Sequence, residues 1–502
     1  MHSRILDFLF RLKAKYHGGQ DPALHDLHEF LDDYEYEIDE QTRADLMTAE
    51  FTEAYRRTLT SAGDQVFDHW TRSVRRKEDL LVFQDDVRRA LGSGTDRTER
   101  ALARLGKQGR GHIVTDLWNG FTVRAWVVDN FVWLQALNLA ACALICLAGA
   151  RFVIAAVTLF LLVNLTLYLL ANRHIARVAG SINYFMGLCR CVEKALRYGE
   201  LPIGLAQPDY RTFRRVAWCS VLFKEGVGGP QSGDPLAMLV DNLRVFLCLE
   251  IIAFRLTRRH LLRHSDELRA MVYYAGYLDC VLSCKALARD GGLTFARLTD
   301  DSFIDFTDMR HPLIDGAVGQ SRRVGRGIVA TGMNMAGKTS FMKSLGLNQA
   351  FATGFGLAFA SSYETGIFRI VSSLRIDDNL LSRRSRYYAE AYRLAEMMRL
   401  AADAPSLCLI DEILSGTNSD ERIRGATEIL RRFSAGRGSI VVAATHDTAI
   451  AESLRDAYDL IYFDGERRGD RLVFDYRVKD GVVSRRNGLD ILRILGIEVE
   501  AR

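Results

Sequence analysis

The chain has 502 residues, of which 48% are hydrophobic, and a formal net charge of +4. This length allows about two to four domains, and the small net charge argues against a protein whose whole surface attracts nucleic acid. Nine cysteines without a repeating pattern argue against a disulfide-based secreted framework and predict reduced thiols in a cytosolic catalytic part. Basic runs at 72–77 and 255–263 are explained by solvated helix faces at least as well as by phosphate contacts.

The part of the chain before about residue 300 is predicted to be mainly helical. No proline occurs at 23–201 or 236–311, and long proline-free tracts rich in charged residues favour long helices. Asp234 and Pro235 are typical of an N-cap and a first helical position. One helical stripe lies within the segment DLLVFQDDVRRAL and comprises Leu80, Phe83, Val87 and Leu91.

An apolar tract interrupts this helical part. Residues 131–149 and 152–171 contain no charged side chain, and each segment has about the 20 residues that a helix needs to cross a bilayer. We predict a transmembrane hairpin with both ends in the cytoplasm, although Arg151 in its turn weakens the charge contrast. The flanking cations are Arg124 before the tract and Arg173, His174 and Arg177 after it. The alternative is a buried hairpin in a soluble core, where a helix normally keeps a polar stripe.

After about residue 300 the sequence changes to short β-branched runs between glycines. Such runs are typical of buried strands that alternate with helices in an α/β sheet. Four runs have this character, namely GIVATG (327–332), SLCLID (406–411), SIVVAAT (439–445) and DLIYFD (459–464).

A glycine-rich loop follows the first of these predicted strands. TGMNMAGKTS at 331–340 contains the pattern G-x4-G-K-T, and a helix-like segment comes next. In such a loop the glycines let backbone N–H groups close around a phosphate. The lysine, Lys338, would reach the β- and γ-phosphate oxygens, and the Thr339 hydroxyl would bind Mg²⁺. The strand–loop–helix context therefore predicts a nucleotide site.

Polar side chains follow two later strands. Asp411 and Glu412 end the second predicted strand, and His446 follows the third. Because ligands of α/β sheets bind at the carboxyl ends of the strands, we predict that these side chains meet the phosphate loop. Asp411 would hold Mg²⁺, Glu412 would polarise the attacking water, and His446 would contact the γ-phosphate. Taken alone, the acids are also explained by helix capping and the histidine by a structural role.

The chain resembles the MutS family at several motifs. TGMNMAGK matches the family's phosphate loop TG-x-NM-x-GK, in which Asn334 and Met335 are the discriminating pair. The tripeptide LSG at 414–416 imitates the signature of ABC transporters, but it follows the acids instead of preceding them, which disfavours a transport ATPase. Further similarity to MutS proteins lies in RHPLID (310–315), SRYYAE (385–390), DEILSGTNSDE (411–421), the closing segment 472–497 and the helical segments 38–70 and 277–288.

The resemblance implies a homodimeric ATPase with ATP and Mg²⁺ as ligands. It implies catalytic roles for Lys338, Glu412 and His446, and Mg²⁺ ligation by Thr339 and Asp411. The nucleotide-binding residues would be Gly332, Asn334, Met335, Ala336, Gly337, Lys338, Thr339 and Ser340, with Ser385 contributed by the other subunit to form a composite site. Met333 and Ala336 stand where the family usually has proline and glycine, but the lysine and a hydroxyl remain.

The expected relation to DNA differs from that of the family. About forty residues precede the core-like sequence, so we expect no mismatch-reading or connector domain. Phe51-x-Glu53 imitates the family's base wedge, but it falls within helix-like core sequence. The apolar hairpin lies in the helical arms near where the family's DNA clamp would be inserted. We therefore expect at most modest, salt-sensitive DNA binding without mismatch preference.

Together these patterns predict a multidomain chain, in which an α-helical core and lever region with a transmembrane hairpin precedes an α/β, ABC-like P-loop ATPase domain. The predicted segments are 1–125 (helical), 126–173 (transmembrane hairpin), 174–300 (helical return), 301–485 (ATPase) and 486–502 (tail). The predicted protein is a multi-pass ATPase of the bacterial inner membrane, with a cytoplasmic ATPase domain that moves helical arms for an unnamed client. Two alternatives are a tethered mismatch-repair-type DNA-binding factor and a nucleotide-gated membrane scaffold without turnover.

Overall fold

The computed structural model describes residues 31, 33–107, 126–201, 203–214, 216, 245–333, 336–374, 386–414, 418–436, 438–468 and 471–483. Its α-helices are α1 (Glu40–Leu46), α2 (Thr48–Tyr55), α3 (Ser61–Thr71), α4 (Lys77–Gly92), α5 (Asp96–Leu105), α6 (Trp126–Asp129), α7 (Phe131–Leu147), α8 (Val153–Tyr198), α9 (Leu249–Arg263), α10 (Ser265–Asp290), α11 (Lys338–Phe355), α12 (Arg386–Asp403), α13 (Ser419–Ala435) and α14 (Thr448–Ser453). Short 3-10 helices lie at Ala150–Phe152 and Tyr210–Phe213.

The strands are β1 (Tyr34–Glu37), β2 (Ser73–Arg75), β3 (Thr294–Phe295), β4 (Arg297–Leu298), β5 (Ile304–Met309), β6 (Gln320–Val324), β7 (Ile328–Gly332), β8 (Leu357–Ala358), β9 (Ser362–Thr365), β10 (Arg369–Ser373), β11 (Ser406–Asp411), β12 (Ile440–Ala444), β13 (Asp459–Phe463), β14 (Gly465–Arg468), β15 (Arg471–Phe474) and β16 (Lys479–Asp480). The predicted change from helices to an α/β arrangement near residue 300 is confirmed, and so are the four predicted strands, which are β7, β11, β12 and β13.

The helical region packs through apolar stripes. The predicted stripe of α4 is confirmed, because Leu80, Phe83 and Val87 are fully buried and Leu91 packs at the edge of the same core. The predicted helix that begins at Asp234 and Pro235 lies outside the described residues.

A short ribbon of β1 and β2 was not predicted, and it changes the interpretation of the first basic run. Arg75 lies in β2 and is only 1% exposed. Its guanidinium carbon lies 4.0 Å from the ring centroid of Trp70, and its Nη1 donates to the Gly354 carbonyl at 3.4 Å. The expectation of a solvated helix face was therefore wrong at Arg75, because the side chain joins the ribbon to helix α11.

The apolar tract forms two helices, α7 and α8, joined by a short turn. Within the described residues, one helical segment, Ala150–Ala176, is long and apolar enough to cross a membrane, whereas α7 is apolar but has 17 residues. Most of the second predicted span, 152–171, lies in the first part of helix α8, and its bounds as a span stay a prediction. Helix α8 continues to Tyr198 because its buried stripe persists and no helix-ending signal occurs before Gly199, which adopts φ +61°. The predicted boundary at 173 falls inside this helix.

The central sheet of the C-terminal part has six strands in the order β10-β11-β12-β7-β13-β16. Its first five strands are parallel, and β16 runs antiparallel to β13. A second sheet, in the order β4-β9-β5-β6, packs beside it, and smaller pairs are formed by β3 with β8 and by β14 with β15. The order of the central sheet places the ends of β11, β12 and β7 side by side.

Alternate residues of the central strands face two separate cores. On one face Ile328, Leu409 and Val442 belong to a core that continues into helices α3, α4 and α10. On the other face Val329 and Ile410 pack with helices α12 and α13 in a second core. The helical region and the sheet thus share one continuous hydrophobic core.

Helix α2 contributes to this shared core. Phe51 lies in the middle of α2 and is buried, as predicted from its helix-like surroundings. Its ring centroid lies 5.2 Å from that of Phe351 in α11 and 6.0 Å from that of Phe359. The side chain is therefore part of the packing between the helical region and the sheet.

Candidate functional site

The phosphate loop connects β7 to α11. Gly332 ends the strand with φ +136°, and a Cβ atom there would lie 2.3 Å from the carbonyl oxygen of Phe463. Gly337 precedes α11 with φ +115°. Residues other than glycine rarely adopt such φ values, so the backbone of this loop requires both glycines of the motif.

Lys338 lies inside its own loop. Its Nζ donates to the carbonyl oxygens of Gly332 at 2.7 Å and Met333 at 2.9 Å, and the side chain is buried. Burial lowers the pKa of Lys338, whereas the nearby carboxylates of Asp411 and Glu412 act in the opposite direction. The loop thus holds a cation between carbonyl dipoles and two acids.

Thr339 and Asp411 are joined across the edge of the sheet. The Thr339 hydroxyl donates to Asp411 Oδ2 at 2.6 Å. The other carboxylate oxygen, Oδ1, is buried and makes no hydrogen bond within the described part of the chain. Burial raises the pKa of Asp411. A hydroxyl beside a carboxylate oxygen that lacks a donor is the kind of hard oxygen set that suits Mg²⁺.

The described residues contain no cluster of three or more His, Cys, Asp or Glu side chains that could hold a metal ion. A Mg²⁺ site needs no such cluster, since proteins often bind this ion through one or two carboxylates together with the phosphates of a nucleotide. Thr339 and Asp411 therefore fit Mg²⁺ as it arrives with a nucleotide.

Glu412 and His446 follow neighbouring strands. Glu412 has φ +50°, and its backbone N–H donates to the carbonyl of Ala444 at 3.0 Å. His446 Nδ1 lies 4.0 Å from Glu412 Oε1, and both side chains are about half exposed. The two side chains are therefore accessible at the same edge as the phosphate loop, where a water molecule and a terminal phosphate can approach them.

Seven predicted site residues meet at this edge, namely Gly332, Gly337, Lys338, Thr339, Asp411, Glu412 and His446. Ala336 is buried, and its N–H lies 3.3 Å from the Met333 carbonyl. Ser340 is exposed in the first turn of α11. Asn334, Met335 and Ser385 lie outside the described residues.

Two residues of α12 support the site and were not predicted as site residues. Glu390 Oε1 accepts a hydrogen bond from the backbone N–H of Leu414, just after Glu412. Arg393 donates to the Ser372 carbonyl at 3.0 Å and, through Nη2, to both carboxylate oxygens of Asp39 at 3.0 Å. Both side chains are buried. Their partners are brought to them only by folding, so no local sequence pattern identified them.

Comparison with known proteins agrees with this geometry. Residues 328–500 match the family model described as MutS domain V. The chain is 28% identical over 265 residues to a DNA mismatch repair protein MutS of Rhodopirellula baltica, which covers 50% of this chain and 30% of that protein. It is 28% identical over 248 residues to an endonuclease MutS2 of Streptococcus gordonii, which covers 47% and 30%.

An archaeal relative matches to a similar extent. A DNA mismatch repair protein MutS of Methanosarcina mazei is 26% identical over 267 residues, or 50% of this chain and 29% of that protein. The matched part thus spans less than a third of the length of these relatives. The phosphate loop, the acids of β11 and the closing strands all fall in the matched segment, so this part of the chain is a domain of the MutS family.

Proposed function

We propose that this protein is a Mg²⁺-dependent ATPase, anchored in a membrane by the α7–α8 hairpin, whose nucleotide cycle moves its helical arms. The observation that carries the proposal is the 2.6 Å bond between Thr339 of the phosphate loop and Asp411 of β11. This bond brings together the hydroxyl of the phosphate loop and the carboxylate at the end of β11, which are the two groups expected to bind a nucleotide-bound Mg²⁺.

Each residue of the edge has a separate task in the proposed reaction. Lys338 would bind oxygens of the β- and γ-phosphates, and Thr339 and Asp411 would hold Mg²⁺, which would supply positive charge at the transferred phosphoryl group. Glu412 orients the attacking water and accepts its proton. His446, 4.0 Å from Glu412, donates to the γ-phosphate.

The hairpin of α7 and α8 supports a membrane anchor because its polar side chains lie inside and its apolar side chains lie outside, the reverse of a soluble protein. Asn164 is 1% exposed and its Oδ1 accepts from Gln135 at 2.7 Å and Asn138 at 3.3 Å, so the amides lie between the two helices. Apolar side chains point outward instead, as in Leu147 and Ile154, which are 83% and 80% exposed. More than half of the exposed large hydrophobic side chains in the described residues lie at 126–170. Polar contacts inside and apolar surface outside are typical of helices that pack in lipid.

The orientation follows from the flanking charge. Arg173 and His174 come directly after the apolar part of α8, and positive residues near the ends of a span favour the cytoplasmic side. We place the ATPase part on that side of a bacterial inner membrane, where ATP is available.

The proposed movement of the arms depends on helix α12. Arg393 connects this helix to Asp39 at the start of α1, and Ser372 Oγ donates to Asp45 within α1 at 2.6 Å. Any shift of α12 when ATP binds would therefore be transmitted to the helical region through the contact of Arg393 with Asp39 and, by way of the Ser372 carbonyl, through strand β10. This is coupling by a contiguous network, for which these contacts supply the path.

The proposed assembly is a homodimer with composite ATP sites. Tyr387, Tyr388 and Tyr392 give the first turns of α12 an exposed aromatic face next to position 385, and exposed tyrosines are frequent in protein interfaces. The side chains of Glu412 and His446 are also about half exposed. For DNA, we propose at most a modest, salt-sensitive and mismatch-independent contact through surface cations.

Two substitutions test the proposed chemistry. Lys338→Ala should abolish ATP binding because it removes the cation at the phosphates. Glu412→Gln should retain ATP binding and lose turnover by about 100-fold or more, because the amide accepts no proton. Nucleotide titration and steady-state hydrolysis on detergent-solubilised protein measure both effects.

The exposed pair on α13 provides a control, since Arg432→Gln breaks only the surface ion pair with Glu428 and should change neither measurement. Full turnover by Glu412→Gln would remove its catalytic role. Binding without turnover in the unsubstituted protein would favour the nucleotide-gated scaffold.

A further inference from the structure

A basic groove runs between α5 and the C-terminal end of α8, far from the phosphate loop in sequence. Its cavity has a volume of about 450 Å³. Its five cations are Arg97, Arg100 and Arg104 on α5 and Arg190 and Lys194 on α8, and all five side chains are exposed. The floor is made of small or apolar residues, among them Ala101, Leu105 and Gly187. We call this feature the basic groove.

The spacing of the cations produces a continuous lining. On α5 they recur three and four residues apart, which places them on one face of the helix over about 10 Å. On α8 the two cations are four residues apart and lie on the facing wall. Gly187 allows the helices to approach closely, because a Cβ atom there would lie 2.7 Å from Leu105 Cδ1.

Carboxylates do not neutralise this lining. Among the described residues, no acidic side chain lines the groove. The nearest acid with a recorded contact, Glu200, lies 3.8 Å from Arg97 Nε, but its Oε2 also accepts from the backbone N–H groups of Arg97 and Thr98 at the start of α5. Glu193 pairs with Arg197 outside the groove. Within the described residues, no ion pair joins a carboxylate to the other four cations of the groove.

This concentration of charge differs from the rest of the protein. The groove carries five positive charges, whereas the whole chain has a net charge of +4. Exposed arginines on α13 are paired, as in Arg431 with Asp456 and Arg432 with Glu428. A set of like charges, of which only Arg97 has a carboxylate partner among the described residues, favours an anionic ligand.

We propose that the basic groove binds a small molecule with several phosphate groups, of the nucleoside di- or triphosphate class. Arginine and lysine bind phosphate oxygens through charge-assisted hydrogen bonds, and cations on both walls suit a chain of phosphates. The volume falls within the range of ordinary ligand pockets. Tyr198 lines one end, with the Arg97 guanidinium 5.9 Å from its ring centroid, and its aromatic ring offers a surface on which a base stacks.

Larger polyanions fit the groove less well. Packed helices lie about 8–10 Å apart, so a groove between two of them is too narrow for a DNA duplex. Arg190 lies 14 residues beyond Ala176, where the apolar part of α8 ends, which is about 21 Å along the helix. If the hairpin anchors the protein as proposed, this distance separates Arg190 from the lipid headgroups. A free nucleotide remains the ligand that the dimensions favour.

Titration of the Lys338→Ala protein in EDTA tests the proposal without turnover at the phosphate loop. The probes are GTP and inorganic triphosphate, and each should bind once per chain through the groove. Arg100→Gln combined with Arg104→Gln should weaken both probes by about tenfold or more. The matched control, Arg431→Gln combined with Arg432→Gln, removes the same charge elsewhere and should leave both affinities unchanged.

Two further variants separate a built pocket from diffuse charge. Ala101→Leu keeps all five cations but fills space at the floor of the groove, so it should weaken the binding of both probes. Tyr198→Ala should weaken the binding of GTP and leave the binding of triphosphate unchanged. If Tyr198→Ala changes the affinity of neither probe, the groove binds phosphates alone and the nucleoside class is overturned. Melting temperatures of all variants verify that they are folded.

Three results would overturn the proposal. They are no binding of either probe to folded Lys338→Ala protein, unchanged affinity in the Arg100 and Arg104 double variant, and tighter binding of a single-stranded oligonucleotide through the same arginines. The proposed ATPase would be unaffected by these results, because its test measures turnover with Lys338 and Glu412 and the groove test does not.

Discussion

His311 is a buried side chain whose charge state is fixed by its surroundings. It is 9% exposed, and its Nδ1 accepts a hydrogen bond from the backbone N–H of Leu313 at 3.1 Å. Burial, aided by the positive charge of Lys343, lowers the pKa of His311 to about 4. The folded protein therefore keeps this imidazole neutral at pH values where an unfolded histidine takes up a proton.

The sign of the resulting pH dependence follows directly. Between pH 6.5 and 4 the unfolded chain binds a proton at His311 that the folded chain does not, so the free energy of unfolding falls as the pH falls. His311→Asn keeps an acceptor for the Leu313 N–H but cannot titrate. Between pH 7 and pH 5, the free energy of unfolding should fall in both proteins. We expect the fall to be smaller in the variant by up to about 2 kcal/mol.

Thermal or denaturant unfolding of both proteins at several pH values measures this difference. Asp279, whose pKa burial raises to about 6, titrates in the same range but is present in both proteins and cancels. Parallel pH profiles would show that His311 is not the group that destabilises the fold in acid.

Residues whose role depends on chain spacing were predictable, and those whose role depends on tertiary contacts were not. Lys338 and Thr339 stand at fixed positions in a loop motif, so their place beside Asp411 followed from the sequence. Arg393 and Arg75 look like surface cations in the sequence. Their burial depends on Asp39 and Trp70, which are brought to them only when the chain folds.

At the scale of elements, helices α3 and α10 approach each other closely at Gly276. A Cβ atom at Gly276 would lie 2.6 Å from the backbone oxygen of Ala62 and 2.4 Å from Val66 Cγ2. Gly276→Ala should therefore push the helices apart and destabilise the protein by about 1–3 kcal/mol. The shift in melting temperature relative to the unsubstituted protein measures the effect.

Gly92 provides the matched control. It is the last residue of α4, and a Cβ atom there would meet nothing within 4 Å. Gly92→Ala should be neutral or stabilise by up to about 1 kcal/mol, because alanine has the better helix propensity. A Gly276→Ala protein as stable as Gly92→Ala would mean that α3 and α10 can separate without loss.

The elements differ in how far the sequence predicted them. Strands β7, β11, β12 and β13 are apolar runs bounded by turn residues, and such runs carry their own signal. The ribbon of β1 and β2 has strands of four and three residues, too short for a period of two to be recognised. The end of α8 was not predicted, because hydropathy falls after Ala171 while the helix continues, which only its buried stripe and Gly199 indicate.

The whole molecule is held together by a core that crosses from the helical region into the sheet. Gln84 of α4 donates to the Gly356 carbonyl at 2.6 Å, at the end of α11, and Phe67 of α3 lies 4.6 Å from Phe355, centroid to centroid. The helix that follows the phosphate loop therefore packs directly against the helical region. The sequence predicted both regions but could not predict this contact, since it joins residues almost 300 positions apart.

The last prediction concerns the place of the molecule in the cell. If the outward apolar face of α7 and α8 lies in lipid, the protein should remain with membranes through alkaline carbonate extraction. Deletion of 131–171 should release it, because this segment carries the exposed apolar surface. Leu137→Lys combined with Ile154→Lys should reduce retention, since each lysine in a bilayer costs about 2.5–3.5 kcal/mol. The control, Leu81→Lys with Val82→Lys on exposed positions of α4, should not. Complete release of the intact protein by carbonate would contradict the membrane anchor and favour a hairpin in a soluble protein. The apolar face of the hairpin would then require a protein partner.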